Sequence, residues 1–449
     1  MRERSRKAAS FHSALPLVRK VPQRLEKEDM EFLDTTENQS ERGQFITPPV
    51  VADRLAQDLS ELSLNPIKEV HDLGCGPGAL SAAVRRMDST IRVTGYDIHE
   101  EAVAKFNSRF PEHGRAYHRD ILLDPKIPNM TAAISNPPYL LSRRIGDSRT
   151  AEILETDYFK SVSGKLNTFS LFMEIALREL ADGGVAAFII PIAITNLDDH
   201  KGIRSLLVKE CEEIRITWKT ESNPFKDQGV AVETCIVSFR KGGGEKSLEI
   251  REWDGSDITR MREIKQTEFD IFPTIDAVDL PDQQGAEISS MCDIVASGFN
   301  WSQDWEEIAR SAPPAEYLQG ILPVVAGRNL SKDGNLTPDI SINYQYLREN
   351  GGIVRACDFD NHSTNRPRLI IGDIGTSAIK VAYTESPCLP MNSVKVIFHK
   401  GDDKKALMEL RDYLMTEDAL IRLKKITPNL HLTKSNLGSL RVPVWGDAE

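Results

Sequence analysis

Val70-His-Asp-Leu-Gly-Cys-Gly-Pro-Gly-Ala79 predicts a strand that carries Asp72 at its end and turns sharply into a helix. Glycines at 74, 76 and 78 allow a tight turn whose backbone N–H groups meet a ligand with no Cβ in the way. A plain strand-to-helix turn uses the same residues, so the glycines alone leave both readings open. Outward from this stretch, short apolar runs alternate with helical patterns, the signature of a parallel sheet with crossover helices. Candidate strands cover 69–73, 91–96, 115–118, 132–135, 185–190, 214–220 and 230–239. Candidate helices cover 49–62 (Val50, Val51, Leu55, Leu59 and Leu62 on one face), 79–86, 100–109 and 168–180. No helix-length segment separates the last two strands, so they are expected to pair antiparallel at the sheet's edge.

The chain has 449 residues, of which 40% are hydrophobic and 27% charged, which excludes a collagen-like, low-complexity or wholly disordered polymer. Its longest apolar stretch, 185–195, is too short to span a bilayer, so no membrane partner is expected. Six scattered cysteines form no Cys-x-x-Cys pair and no zinc-spaced cluster, which predicts reduced thiols in a cytoplasm and no metal site. The net charge of −11 does not exclude nucleic acid, because phosphate binding needs only a local basic patch. From Ser290 to Glu449 there are 18 Lys or Arg against 20 Asp or Glu, so most of the acidic excess lies earlier. The basic N-terminus (Arg2, Arg4, Arg6, Lys7, Arg19, Lys20, Arg24) reads as a mobile tail or as an arm on nucleic acid.

Two further strand ends carry acids. Asp97, in Gly95-Tyr-Asp-Ile98, is placed to accept both ribose hydroxyls of an adenosine, and Asp120, in His118-Arg-Asp-Ile121, to accept an adenine amino group. One such acid reads as a helix cap, but three around one glycine turn predict a nucleoside site.

The fourth strand ends in Ser135-Asn-Pro-Pro-Tyr139. A proline turn is the simple reading. The chemical reading is that an aryl amine such as adenine N6 is a poor nucleophile, since its lone pair delocalises into the ring. Two acceptors on its N–H bonds draw the nitrogen toward tetrahedral geometry. The Asn136 side-chain oxygen and the Pro137 carbonyl supply such acceptors. Pro137 and Pro138 lock φ and hold the loop in position before substrate arrives. Tyr139 offers a flat face for a base lifted from its duplex. Methyl transfer from a sulfonium is a direct displacement, so no nucleophilic Cys, His or metal is needed.

These residues resemble the gamma-class S-adenosylmethionine-dependent adenine-N6 DNA methyltransferases. Arg42-Gly-Gln-Phe-Ile-Thr-Pro-Pro49 occupies the place of that class's upstream cofactor motif, and the resemblance implies that Phe45 and Thr47 contact the methionine part. Read without it, Thr47 caps the following helix. The likeness covers residues 40 to 240 and runs on through Asn167-Thr-Phe-Ser-Leu-Phe172, residues 183–191 and Val232-Glu-Thr-Cys-Ile-Val-Ser-Phe239. It implies a Rossmann-like α/β fold, a seven-stranded methyltransferase sheet with an antiparallel last strand. It makes Asp72, Gly74, Gly76, Gly78, Asp97, Asp120 and Asn136 cofactor contacts, and Asn136, Pro137, Pro138 and Tyr139 the catalytic loop. Phe225 matches by position the aromatic residue that stacks on the other face of the flipped adenine, with a buried core Phe as the competing reading.

The C-terminal part resembles target-recognition domains of restriction–modification proteins in Val325-Ala-Gly-Arg-Asn329, Arg368-Leu-Ile-Ile-Gly-Asp-Ile374 with Pro390-Met-Asn392, and Ile426-Thr-Pro-Asn-Leu-His-Leu432 leading to Leu440-Arg-Val-Pro443. A second, mixed α/β domain is expected, with strands near 321–325, 369–374 and 394–399 and helices at 404–415 and 416–423. Lys404, Lys405, Lys424 and Lys425 read as a solvated face or as phosphate contacts. The expected division is a flexible basic tail (1–35), a catalytic domain (36–245), a linker (246–289) bounded by the Gly242–Gly244 break, and a recognition domain (290–449). The implied activity is adenine-N6 methylation of a specific site in double-stranded DNA, in a prokaryotic cytosol. It would be the protective half of a restriction–modification system, with a separately encoded restriction endonuclease as an open partner. N4-cytosine methylation, glutamine N5 methylation of a protein and an inactive DNA-specificity subunit are the alternatives.

Overall fold

The computed structural model describes residues 45–162, 166–219, 233–265, 272–273, 275, 285–296, 321–338, 340–343, 365–372, 378–391, 393–427 and 432–443. Strands β1 (Glu69–Leu73) and β4 (Met130–Ser135) are buried at nearly every position, as parallel strands covered on both faces must be. With β2 (Arg92–Asp97), β3 (Gly114–His118) and β5 (Leu180–Pro191) they form a parallel sheet in the order β3-β2-β1-β4-β5. The chain steps outward from β1 to β3, then returns to place β4 on the other side of β1. Ligands bind at such a reversal point, beyond the carboxyl ends of the strands.

The sheet continues through β7 (Thr234–Lys241), β6 (Cys211–Lys219), β8 (Ser247–Trp253) and β9 (Ile258–Lys265). It therefore has nine strands where seven were expected. The antiparallel pairing of β6 and β7 is as expected, but its place is not. β7 inserts between β5 and β6, and β8 lies parallel to the far side of β6, so the edges are β3 and β9. The expected linker is corrected accordingly: Ser247–Trp253 and Ile258–Lys265 are strands of the sheet, and Phe272 and Ile275 are buried in the same core.

Charge hid β8. Arg215 on β6 and Arg251 on β8 carry charge into the sheet, and both are under 10% exposed. They meet the last turns of helix α1 (Pro49–Leu62), where Arg251 lies 3.1 Å from Asp58 and 2.9 Å from Glu61, and Arg215 lies 3.3 Å from Glu61. Arg54 of α1 completes the lattice at 2.6 Å from both acids. Breaking one member of such a buried set leaves an uncompensated charge, at a cost of about 3–5 kcal/mol.

Helices α1, α2 (Ala79–Met87) and α3 (Glu100–Arg109) cover one face through Val51, Leu55, Leu59, Leu80, Val84, Val103 and Phe106. A short helix α4 (Asp147–Glu155) follows the β4 loop, and α5 (Thr168–Glu179) and α6 (Lys201–Glu210) cover the other face through Phe169, Phe172, Met173, Ile175, Ile203 and Leu207.

Beyond residue 285 the described residues form a separate core. An antiparallel sheet takes the order Cys292–Ala296, Val394–His399, Arg368–Gly372 and Val381–Thr384. A smaller sheet joins Ile340–Asn343, Ile321–Val325 and Leu389–Pro390. Helices Lys404–Leu414 and Glu417–Ile426 follow, capped by the Asp403 and Thr416 side chains. This is mixed α/β, as expected. Of the lysines read as a solvated face or as phosphate contacts, Lys404 and Lys405 are exposed and lie 2.7 Å from Glu385 and 3.9 Å from Glu409. The 1–35 tail lies outside the described residues.

Candidate active site

The carboxyl ends of β1 to β4 open onto a cavity of about 510 Å³, lined among others by Phe45, Thr47, Asp72, Gly74, Gly76, Asp97, Asp120, Asn136 and Pro138. Residues spread over four strand ends and an upstream loop thus converge on one space. Of the expected site residues, Gly78, Pro137 and Tyr139 do not line it. Phe225 lies outside the described residues.

The glycine turn is built as its residue types require: Gly74, Gly76 and Gly78 all have positive φ, at 73°, 50° and 90°. Their uses differ. A Cβ on Gly76 would meet nothing within 4 Å, so this glycine serves backbone conformation next to the cavity. A Cβ on Gly78 would stand 2.5 Å from the Phe110 ring and 2.9 Å from that of Phe106. Gly78 therefore lets α2 pack against α3, and its expected role as a cavity contact is corrected.

Each acid is held by its own local structure. Asp97 accepts from the backbone N–H groups of Gly76 and His99, both at 2.9 Å, which ties the end of β2 to the glycine turn. Burial pushes its carboxyl up, and those two N–H groups oppose the shift. Asp120 accepts from Leu122 N at 3.1 Å and from the guanidinium of Arg149 on α4. Asp72 is 1% exposed; its Oδ2 accepts from Ser81 N at 3.2 Å and Ser81 Oγ at 2.7 Å, while its Oδ1 has no partner among the described residues. Burial pushes the Asp72 carboxyl up to about 7, against the Ser81 hydrogen bonds, with Asp97 adding to the rise.

That shift fixes a pH dependence. The folded chain holds the Asp72 proton more tightly than the unfolded chain, whose carboxyl titrates near ~3.9. The resulting stability is fully present below that value and is lost as pH rises through about 7. Asp72→Asn keeps a neutral side chain at every pH. In thermal melts of the ligand-free protein the two should match near pH 4, and the variant should be several degrees more stable at pH 8. Parallel pH profiles would show that Asp72 is not the responsible group.

Asn136 is the hinge of the site. Its Nδ2 donates to Phe45 O at 2.8 Å and to Thr47 Oγ1 at 3.0 Å, joining the β4 loop to the loop before α1. The Thr47 oxygen is thus spent on Asn136. Capping is overturned: the N-cap position of α1 is Pro48, with no side-chain hydrogen bond. The Asn136 Oδ1 lies 2.9 Å from the Tyr139 hydroxyl, which also lies 3.0 Å from Ile189 O. Tyr139 therefore stands behind the carboxamide, its ring 6.4 Å from that of Phe45 and edge-on to Phe169.

Two residues of the site were missed in the sequence. Thr168, at the start of α5, accepts from Leu140 N at 3.0 Å and donates to Pro138 O, clamping the proline loop to the helix. A Thr directly after the N-cap Asn167, inside a stretch already singled out, was the available signal. Arg149 had none, because its partner Asp120 is 29 residues away. Among the described residues no group of His, Cys, Asp or Glu is arranged to hold a metal ion, and no helix is long and apolar enough to cross a membrane.

The chain is similar to Type II methyltransferase M.BsuBI of Bacillus subtilis, 26% identical over 47% of this chain and 46% of that protein. It is likewise similar to Type II methyltransferase M.TthHB8I of Thermus thermophilus, 27% identical over 48% of this chain and 49% of that protein. It thus spans about half the length of these curated relatives. In fold it is similar to a chain of the DrdV–DNA complex, with a TM-score of 0.52 and 12% identity over 91% of this chain and 54% of that one. Residues 96–225, from the end of β2 through Asn136 and past α5, match the Eco57I restriction-modification methylase family, and the chain is a relative of Type II methyltransferases over about half its length.

Proposed function

We propose that the protein is a site-specific DNA methyltransferase that transfers a methyl group from S-adenosylmethionine to N6 of an adenine turned out of double-stranded DNA, within a restriction–modification system. The observation that carries this reading is the Asn136 carboxamide in the cavity wall, held by both Nδ2 hydrogens and turning Oδ1 toward a single hydroxyl. Support comes also from the match to restriction-modification methylases around this loop.

The cavity suits the cofactor in one specific respect. Asp72 Oδ1 is a buried acceptor without a partner on the wall, and a cationic amine donor would satisfy it. Asp97 and Asp120 would take the ribose and the adenine, Phe45 and Thr47 the methionine end, and Gly74 and Gly76 would let the backbone come close. When bound, the cofactor supplies a methyl group made electrophilic by a positively charged sulfur. The chain's own work is on the amine. Asn136 Oδ1 accepts an N–H of the base and localises the nitrogen lone pair, with the Pro137 carbonyl as the second acceptor. The Tyr139 hydroxyl has one hydrogen and two acceptors in reach, so donation to Ile189 O frees Oδ1 for the substrate. Tyr139 backs the carboxamide from outside the cavity, Phe225 is the proposed stacking face, and the C-terminal core is the proposed reader of base edges.

The test is to incubate purified protein and S-adenosylmethionine with DNA lacking modified bases, then sequence single molecules. N6-methyladenine in one fixed sequence context is the expected product. N4-methylcytosine would overturn the choice of base, and unmodified DNA would overturn the assignment.

A further inference from the structure

The turn that carries Asp120 closes through its own hydrogen bonds, without Arg149. Asp120 already closes its own turn, with Leu122 N on Oδ1 and the backbone N–H of Asp124 on its carbonyl oxygen at 2.9 Å. Arg149 sits on α4, which follows the Asn136–Tyr139 loop across Gly146, a glycine with φ of 92°. It reaches Oδ2 from a different element, and both residues line the cavity. The carboxylate is therefore gripped at each oxygen by a different element. Its rotation is fixed, and its remaining lone pairs are all acceptors.

We infer that Arg149 is a positioning residue that holds Asp120 so that the site selects a 6-aminopurine over a 6-oxopurine. This rests on the proposed use of the cavity by S-adenosylmethionine. A fixed carboxylate oxygen rewards a donor N–H and opposes a carbonyl oxygen, whereas a carboxylate free to turn away discriminates less. Arg149 acts through Asp120 and touches no reacting atom.

Calorimetric titration of the full chain with S-adenosylhomocysteine and with its hypoxanthine counterpart, S-inosylhomocysteine, tests this. The wild type should prefer the amino form by about 100-fold or more. Arg149→Ala should lower that preference at least about tenfold, mainly by weakening the amino ligand, and Arg149→Lys should restore much of it. In an Asp120→Asn background the same Arg149→Ala change should leave the ratio within about twofold, because the two residues act as one unit. A general structural role would weaken both ligands equally and leave the ratio intact, and that result overturns the inference while sparing the proposed function. Failure of the wild type to bind either ligand overturns both.

Discussion

Asn136→Ala is expected to slow methyl transfer by roughly 10²–10³-fold, the usual cost of removing one polar group that acts on the reacting atoms. The geometry also sets what else should change. Alanine removes the Oδ1 acceptor and both Nδ2 donors, so Phe45 O and Thr47 Oγ1 lose a partner on the cavity wall. A neutral hydrogen bond contributes about 1 kcal/mol net, so cofactor affinity should fall only about 5–10-fold. Single-turnover rates with radiolabelled cofactor, set beside calorimetric affinities, separate the two effects. Equal losses in rate and affinity would make Asn136 a strut between two loops and remove it from the chemistry.

Asp97→Ala should act on the other arm of that comparison. Two hydrogen bonds from ribose hydroxyls to a carboxylate contribute about 1.5 kcal/mol each at the low end, so cofactor binding should weaken by roughly 100-fold. The substitution also strips the acceptor from Gly76 N and His99 N, which loosens the glycine turn. Asp97→Asn retains one acceptor oxygen and should fall between the two. DNA affinity in a gel-shift assay should stay within about twofold for both variants. A matching loss of DNA binding would mean that the sheet's carboxyl edge had collapsed, and the ribose assignment would have no support.

Much of the parallel half was legible because its signals are local. A strand ending in Asp72, three glycines that only a turn explains, and Asn-Pro-Pro-Tyr are each readable within a few residues, and the cavity gathers Asp72, Gly74, Gly76, Asn136 and Pro138 from them. What escaped is relational. Thr47 has the residue type and position of a helix cap, yet its hydroxyl serves Asn136 in the loop after β4. Gly78 has the spacing of a ligand contact, yet two phenylalanine rings decide its size. Strands β8 and β9 were hidden by the Gly242–Gly244 break, read as a boundary, and by arginines whose partners lie on α1, nearly two hundred residues earlier in the chain. Arg149 shows no pattern at all until the fold brings it to Asp120.

The arginine lattice under α1 bears on how such proteins are recombined. Exchanging C-terminal halves between relatives looks simplest at the glycine-rich stretch before Lys246. That splice would remove Arg251 and leave the buried Asp58 with Arg54 alone, on the helix that carries the Phe45–Thr47 loop. Among the described residues the last buried side chain of the first core is Ile275, so the portable unit ends past it. Chimeras joined there should fold as their parents do, and those joined at the glycines should be recovered as aggregates.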